Sequence, residues 1–155
     1  MRHLLTRLLG ALVLGIGVSP ALALAATAVT HAVEVYHDSA CGCCVNWIRY
    51  MRAQGYMVTA HETSSLAAVK TRLRVPVDAV SCHTAKIGGY MIEGHVPVQD
   101  IRRLLAERPD AIGLAAPGMP VGSPGMEVGA PQRYDVLLIG QDGTVRVYAT
   151  HSPQA

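Results

Sequence analysis

The chain has 155 residues, with thirteen Lys and Arg against eleven Asp and Glu, half of its residues apolar, one Trp and no Phe. That length accommodates one small domain with a modest core. Two of the basic residues and none of the acidic ones lie in residues 1–25, so the remainder carries eleven of each, which leaves no basic stripe for nucleic acid or an anionic membrane surface.

Residues 1–25 read as a secretory signal peptide. Arg2 and Arg7 make a positive start, residues 8–18 an apolar run, and Pro20-Ala21-Leu22-Ala23-Leu24-Ala25 a small-residue region suited to cleavage after Ala23 or Ala25. The apolar run is short against the ~20 residues that a bilayer requires. Removal leaves residues 26–155 as a single exported domain, expected to be periplasmic and, with no second long apolar run, off the membrane.

Ala32-Val33-Glu34-Val35-Tyr36 alternates and predicts a first strand. His37-Asp38-Ser39-Ala40 is a loop that leads into Cys41-Gly42-Cys43-Cys44. A helix follows over residues 43–54, with Val45, Ile48, Met51 and Trp47 on its apolar side, and Gly55 ends it. Residues 57–61 predict a second strand. Ser64 or Ser65 caps a second helix with Leu66, Val69 and Leu73 facing inward, closed by Pro76. Residues 81–87 and 90–93 predict two strands joined through Gly88-Gly89. Pro97 opens a third helix carrying Val98, Ile101, Leu104 and Leu105, which stops near Pro109. Residues 113–131 hold five glycines, four prolines, Met119 and Met126, and predict a long irregular loop. Residues 134–139 and 144–148 flank Gln141-Asp142-Gly143 and predict a closing hairpin. The expected fold is therefore α/β. Its first seven elements follow the thioredoxin-like order β-α-β-α-β-β-α, and a Gly/Pro/Met-rich loop and a C-terminal hairpin complete it.

In that order the reactive cysteines fall between the first strand and the first helix, where exposed N–H groups and the helix dipole favour a thiolate. Cys41 and Cys44 have the C-x-x-C spacing of a dithiol centre. Cys43 is an addition that a dithiol oxidoreductase does not need, and Gly42 permits a loop that curls around a common point. Cys82, followed directly by His83, opens the third strand and approaches the helix start from the neighbouring strand. Soft thiolates select Cu(I), zinc or iron–sulfur clusters. The adjacency of Cys43 and Cys44 suits bridging between several metals better than one tetrahedral ion. Spacing alone leaves copper, zinc and a redox pair open, the last being a Cys41–Cys44 disulfide with two spare thiols.

Tyr36-His37-Asp38-Ser39-Ala40-Cys41-Gly42-Cys43-Cys44, Cys82-His83, the stretch Gly89 to Pro97 and the stretch Pro117 to Glu127 together resemble the CopG-type copper-resistance proteins, a family long labelled only as a domain of unknown function. The resemblance covers nearly all of residues 26–155. It implies an exported, thioredoxin-like protein that binds several Cu(I) ions in a thiolate cluster. It carries over Cys41, Cys43, Cys44, Cys82 and His83 as metal ligands, and implies copper resistance or handling, with redox interconversion of copper as a further role. Copper ions are then the expected cargo and other periplasmic copper-handling proteins the expected partners. The alternative is an exported thiol–disulfide oxidoreductase using Cys41 and Cys44.

Adjacent residues of a regular strand face opposite ways, so Cys82 and His83 converge only if the backbone between them is irregular. His95 in Gly-His-Val-Pro reads as a structural turn residue. Met119 and Met126 read as gap-fillers against the core, and His61 and His151 as surface residues without partners. His37 is either a nearby donor or a solvated loop residue. Whether His37, His95, Met119 or Met126 joins the site is left open by the sequence. No carboxylate pair, nucleophile elbow or phosphate loop is present.

Overall fold

In the computed structural model, which describes residues 31–153, the alternating segment Ala32–His37 forms β1 and turns Val33, Val35 and His37 to one buried face. The other elements follow as α1 (Gly42–Ala53), β2 (Met57–Glu62), α2 (Leu66–Arg72), a 3-10 turn (Val77–Ala79), β3 (His83–Ile87), β4 (Tyr90–Glu93), α3 (Val98–Glu107), β5 (Ala111–Ala115), β6 (Tyr134–Gly140) and β7 (Val145–His151). The mixed α/β order matches the sequence expectation through α3. The signal-peptide reading of residues 1–25 lies outside the described residues. No helix of the described residues is long and apolar enough to cross a membrane.

The strands form one sheet in the order β2-β1-β3-β4-β5-β6-β7. β1 and β2 are parallel, as are β4 and β5, and all other neighbours are antiparallel. Parallel neighbours need a crossover connection, and α1 and α3 supply the two that this sheet requires. Both helices lie on one face. Trp47, Ile48 and Met51 of α1 and Val98, Ile101 and Leu104 of α3 pack in one core with Val33, Val35, Ala85, Ile87, Ile92, Leu114, Val136 and Leu138. The opposite face buries Met91, Ala115 and Ile139 with Ala79, against Leu73 and Val75 from the α2 end. The period of two thus sends Ile92 to one layer and Met91 to the other.

Two expected boundaries are corrected. The third strand starts at His83 rather than Ser81, and Ser81 makes only an isolated parallel bridge to Gly118. The first residues of the expected loop, Gly113 to Ala115, belong to β5. An added Cβ at Gly113 would collide with the Met91 backbone, so the glycine that reads as a loop signal is instead what lets β5 lie close beside β4. The rest of the Gly/Pro segment is held by backbone hydrogen bonds, one to Val80 and others within itself. Gly118 N–H donates to Val80 O at 3.0 Å, Met126 N–H to Ser123 O at 2.8 Å, and Gly122 N–H to Met126 O at 2.8 Å.

Candidate metal centre

The turn ahead of α1 is built from local bonds. Asp38 Oδ1 accepts from Ala40 N–H at 2.8 Å, and Asp38 O accepts from Cys41 N–H at 3.0 Å. Cys41 is the N-cap, its sulfur accepting from Cys44 N–H at 3.3 Å and so satisfying one of the free helix-start donors. The cysteine cluster therefore sits on the first turn of α1, as the sequence predicts.

Cys41 and Cys44 are joined by a disulfide, with Cα atoms 5.3 Å apart, while Cys43 and Cys82 are free and half-buried. The redox-pair reading of the four cysteines is thus the state that the structure holds. Even so, the four sulfurs gather. Cys43 Sγ lies 3.5 Å from Cys41 Sγ and 3.6 Å from Cys82 Sγ, and all four Sγ atoms fall within 4.8 Å of one another. Reduction would present four thiols to one point.

Cys82 reaches this point from outside β3. The chain bends at Cys82 before the strand begins at His83, which supplies the irregular backbone that convergence of the two residues demands. Ser81 holds the bend in place. Its hydroxyl bonds Gly118 O, and its N–H donates at 2.7 Å to the buried Glu93 carboxylate. Glu93 also accepts from Thr84 Oγ1 at 2.7 Å and pairs with Lys70 of α2. Burial pushes the Glu93 carboxyl up, against the pull of Lys70, Thr84 and the Ser81 N–H.

His83 shares the parity of Ala85 and Ile87 and so points toward α1. It is fully buried, with its ring 4.7 Å from Trp47 and 5.0 Å, edge-on, from His95. Its Nδ1 lies 3.4 Å from Cys82 Sγ, and its Nε2 has no hydrogen-bond partner among the described residues. Buried polar atoms are nearly always satisfied, so this ring fits a ligand better than it fits an apolar core. Burial holds the His83 imidazolium well below the usual histidine range, and the nearby His95, Lys70 and His37 reinforce it. A neutral ring keeps a lone pair for a metal.

His95, read from sequence as structural and left open as a donor, lies against Cys82. It is fully buried and places Nε2 3.0 Å from Cys82 Sγ, while Nδ1 donates to Pro124 O at 2.8 Å. Burial lowers its pKa as well, opposed by the Pro124 bond and Glu127. Its spacing to Cys82 follows no ligand pattern, so no sequence signal marks it. Cys82, His83 and His95 form a second group of donors within 4.8 Å of one another. The Cys82 thiol itself is pushed up to about 12 by burial and by the neighbouring Cys43.

The Met119 expectation is corrected too. Met119 is 52% exposed and fills no core gap, and its Sδ lies 3.9 Å from Cys43 Sγ. Met126 is half-buried in the same loop. His37 is buried opposite His83 in the β1–β3 register, and its Nδ1 donates to Asp38 O at 2.8 Å. His61 is half-buried and stacks on Tyr36. His151 has a partner after all, Asp100 Oδ2 at 2.7 Å.

The matching family model is described as "Protein of unknown function, DUF411" and aligns with residues 79–126, the stretch that carries Cys82, His83, His95 and Met119. A comparison with curated proteins gives no match. Among solved structures, the chain is similar to "Copper resistance protein copG", form 2, at 47% identity and a TM-score of 0.75, over 78% of this chain and 98% of that one. Form 1 of the same protein matches at 46% identity and a TM-score of 0.75, over 79% and 98%.

Proposed function

The chain belongs to the family of the copper resistance protein CopG, and from that premise we propose that it binds copper as cargo through Cys41, Cys43, Cys44, Cys82 and His83. The observation that carries the reading is the meeting of four sulfurs from two separate parts of the chain within 4.8 Å. Once Cys41–Cys44 is reduced, four thiolates are the donor set that selects Cu(I). Sulfurs spaced 3.5–3.6 Å apart on one helix turn and one strand end suit bridging of several ions. The unsatisfied Nε2 and neutral state of His83 support its place in the set. Export by residues 1–25 would put this site in the periplasm, where it serves copper resistance by sequestering Cu(I) or passing it to other copper-handling proteins.

Redox interconversion of copper follows from the same pair. When the Cys41 and Cys44 thiols become a disulfide, two electrons and two protons leave, which reduces two Cu(II) to two Cu(I). The disulfide also favours a second reading, a thiol–disulfide oxidoreductase. Anaerobic Cu(I) titration of the reduced protein, beside an insulin-reduction assay on the metal-free protein, separates them. The copper reading predicts tight multi-copper binding that collapses in the Cys43→Ser/Cys44→Ser double variant. Equal affinity in wild type and double variant would refute it. Strong insulin turnover that survives Cys82→Ser would favour the enzyme.

A further inference from the structure

We propose that the disulfide form of this protein keeps a distinct mononuclear copper site, made by Cys82 Sγ and the imidazoles of His83 and His95. The inference rests on the copper reading above but concerns the state in which Cys41 and Cys44 are lost as ligands.

Three observations carry it. First, Cys82 remains a free thiol and touches both rings, with His95 Nε2 at 3.0 Å and His83 Nδ1 at 3.4 Å. Second, a carbonyl oxygen only accepts, so His95 Nδ1 carries the proton that bonds Pro124 O at 2.8 Å. Its lone pair is then on Nε2, directed at Cys82. Anchoring one ring nitrogen on a carbonyl so that the other faces the ion is how proteins orient metal-binding histidines. Third, the His83 ring is fully buried, is held between Trp47 and His95, and keeps one nitrogen without a partner among the described residues. The ring's only hydrogen-bond contact among the described residues is thus Nδ1 to Cys82 Sγ, and its burial leaves Nε2 uncompensated.

Two imidazoles and one thiolate form a trigonal donor set that suits copper. An ion held at about 2.0–2.3 Å from each donor, the scale of zinc–nitrogen and zinc–sulfur bonds, needs donors roughly 3.5 Å apart. The two pairs that Cys82 makes, at 3.0 Å and 3.4 Å, need to open by less than about 1 Å to reach that scale, and the two imidazoles offer donors within 4.8 Å of each other. The set also divides the labour of Cys82. Its sulfur belongs to both donor groups, one with the three helix-start cysteines and one with the two histidines, and only the second keeps all its donors free when Cys41 and Cys44 are joined.

Cys43, 3.6 Å from Cys82, is the one competing thiol, and Cys43→Ser removes it. The test takes this variant oxidised to its Cys41–Cys44 disulfide, verified by a single remaining reactive thiol. It is titrated anaerobically with Cu(I) against a chromogenic chelator and read by X-ray absorption. The expected result is one copper per chain, with one sulfur and two nitrogen scatterers. Adding His95→Gln should weaken binding by more than about tenfold, and adding Cys82→Ser should abolish it, with circular dichroism reporting that each variant is folded. No copper retained, a spectrum without imidazole scattering, or unchanged affinity in the His95→Gln background would overturn the proposal. The spectrum of the parent variant decides the matter even if a histidine variant does not fold. Reduced wild type titrated in parallel keeps the two readings apart. Copper bound there and not by the oxidised variant overturns this site alone, and copper bound by neither overturns both.

Discussion

Cys82 touches every part of the candidate centre: Cys43 on α1, His83 beside it in sequence, and His95 beyond β4. Two buried histidines next to it have a consequence for the metal-free protein. The pKa values of His83 and His95 are lowered by burial, so protonation favours the unfolded chain. Their stability contribution is complete above the unfolded value of about 6.5 and is lost as pH falls below it. Glu93, raised by burial, acts in the opposite sense, so a difference between variants isolates the histidines. Thermal unfolding of chelator-treated protein from pH 8 to pH 5 should show a falling Tm below about 6.5, with a shallower fall in His83→Leu. Parallel profiles would contradict the account. The convergence of Cys82 and His83 was legible as a requirement for irregular backbone, and the bend at Cys82 meets it. His95 and Met119 were not legible. They reach the sulfurs only through the β4–α3 turn and the Gly/Pro loop, and neither carries a spacing signal.

At the scale of elements, the long loop is irregular past Ala115, as expected, and it packs over the start of α1. Gly125 (φ +85) makes the fit possible. A Cβ there would meet Trp47 N at 2.7 Å and Cys43 O at 3.1 Å. Its neighbour Pro124 supplies the carbonyl that orients His95, so one glycine links loop packing to donor geometry. Gly125→Ala should cost about 1–3 kcal/mol, the scale of overpacking at a well-packed site, and should weaken copper binding. Gly129 is the control. It has φ +86, but an added Cβ would meet only Val121 Cγ1 at 3.9 Å. Denaturant unfolding should show the larger loss for Gly125→Ala, and equal losses would contradict the close-approach argument. The helix carrying the cysteines was legible because Val45, Ile48 and Met51 repeat at helical spacing between a turn and Gly55. β5 was not, because its small residues and Gly113 have the composition of a loop and only the open edge of β4 makes them a strand.

For the whole molecule, the sheet explains why distant residues meet. β1 lies between its parallel neighbour β2 and its antiparallel neighbour β3, so the end of β1 and the start of β3 fall at the same edge. α1 leaves from that edge with Cys41, Cys43 and Cys44, and β3 enters there after Cys82. The β4 exit brings His95 to the same place, and the loop after β5 closes over it with Met119 and Pro124. Two parallel crossovers and one hairpin thus converge on one end of the sheet, the side from which the chain presents every donor named above.

The most direct test of the copper reading is X-ray absorption on the reduced protein loaded anaerobically with Cu(I), with metal content measured on the same sample. The account predicts more than one copper per chain, a first shell dominated by sulfur, and a copper–copper vector. A single ion with an oxygen- or nitrogen-dominated shell, or copper lost on desalting, would contradict it.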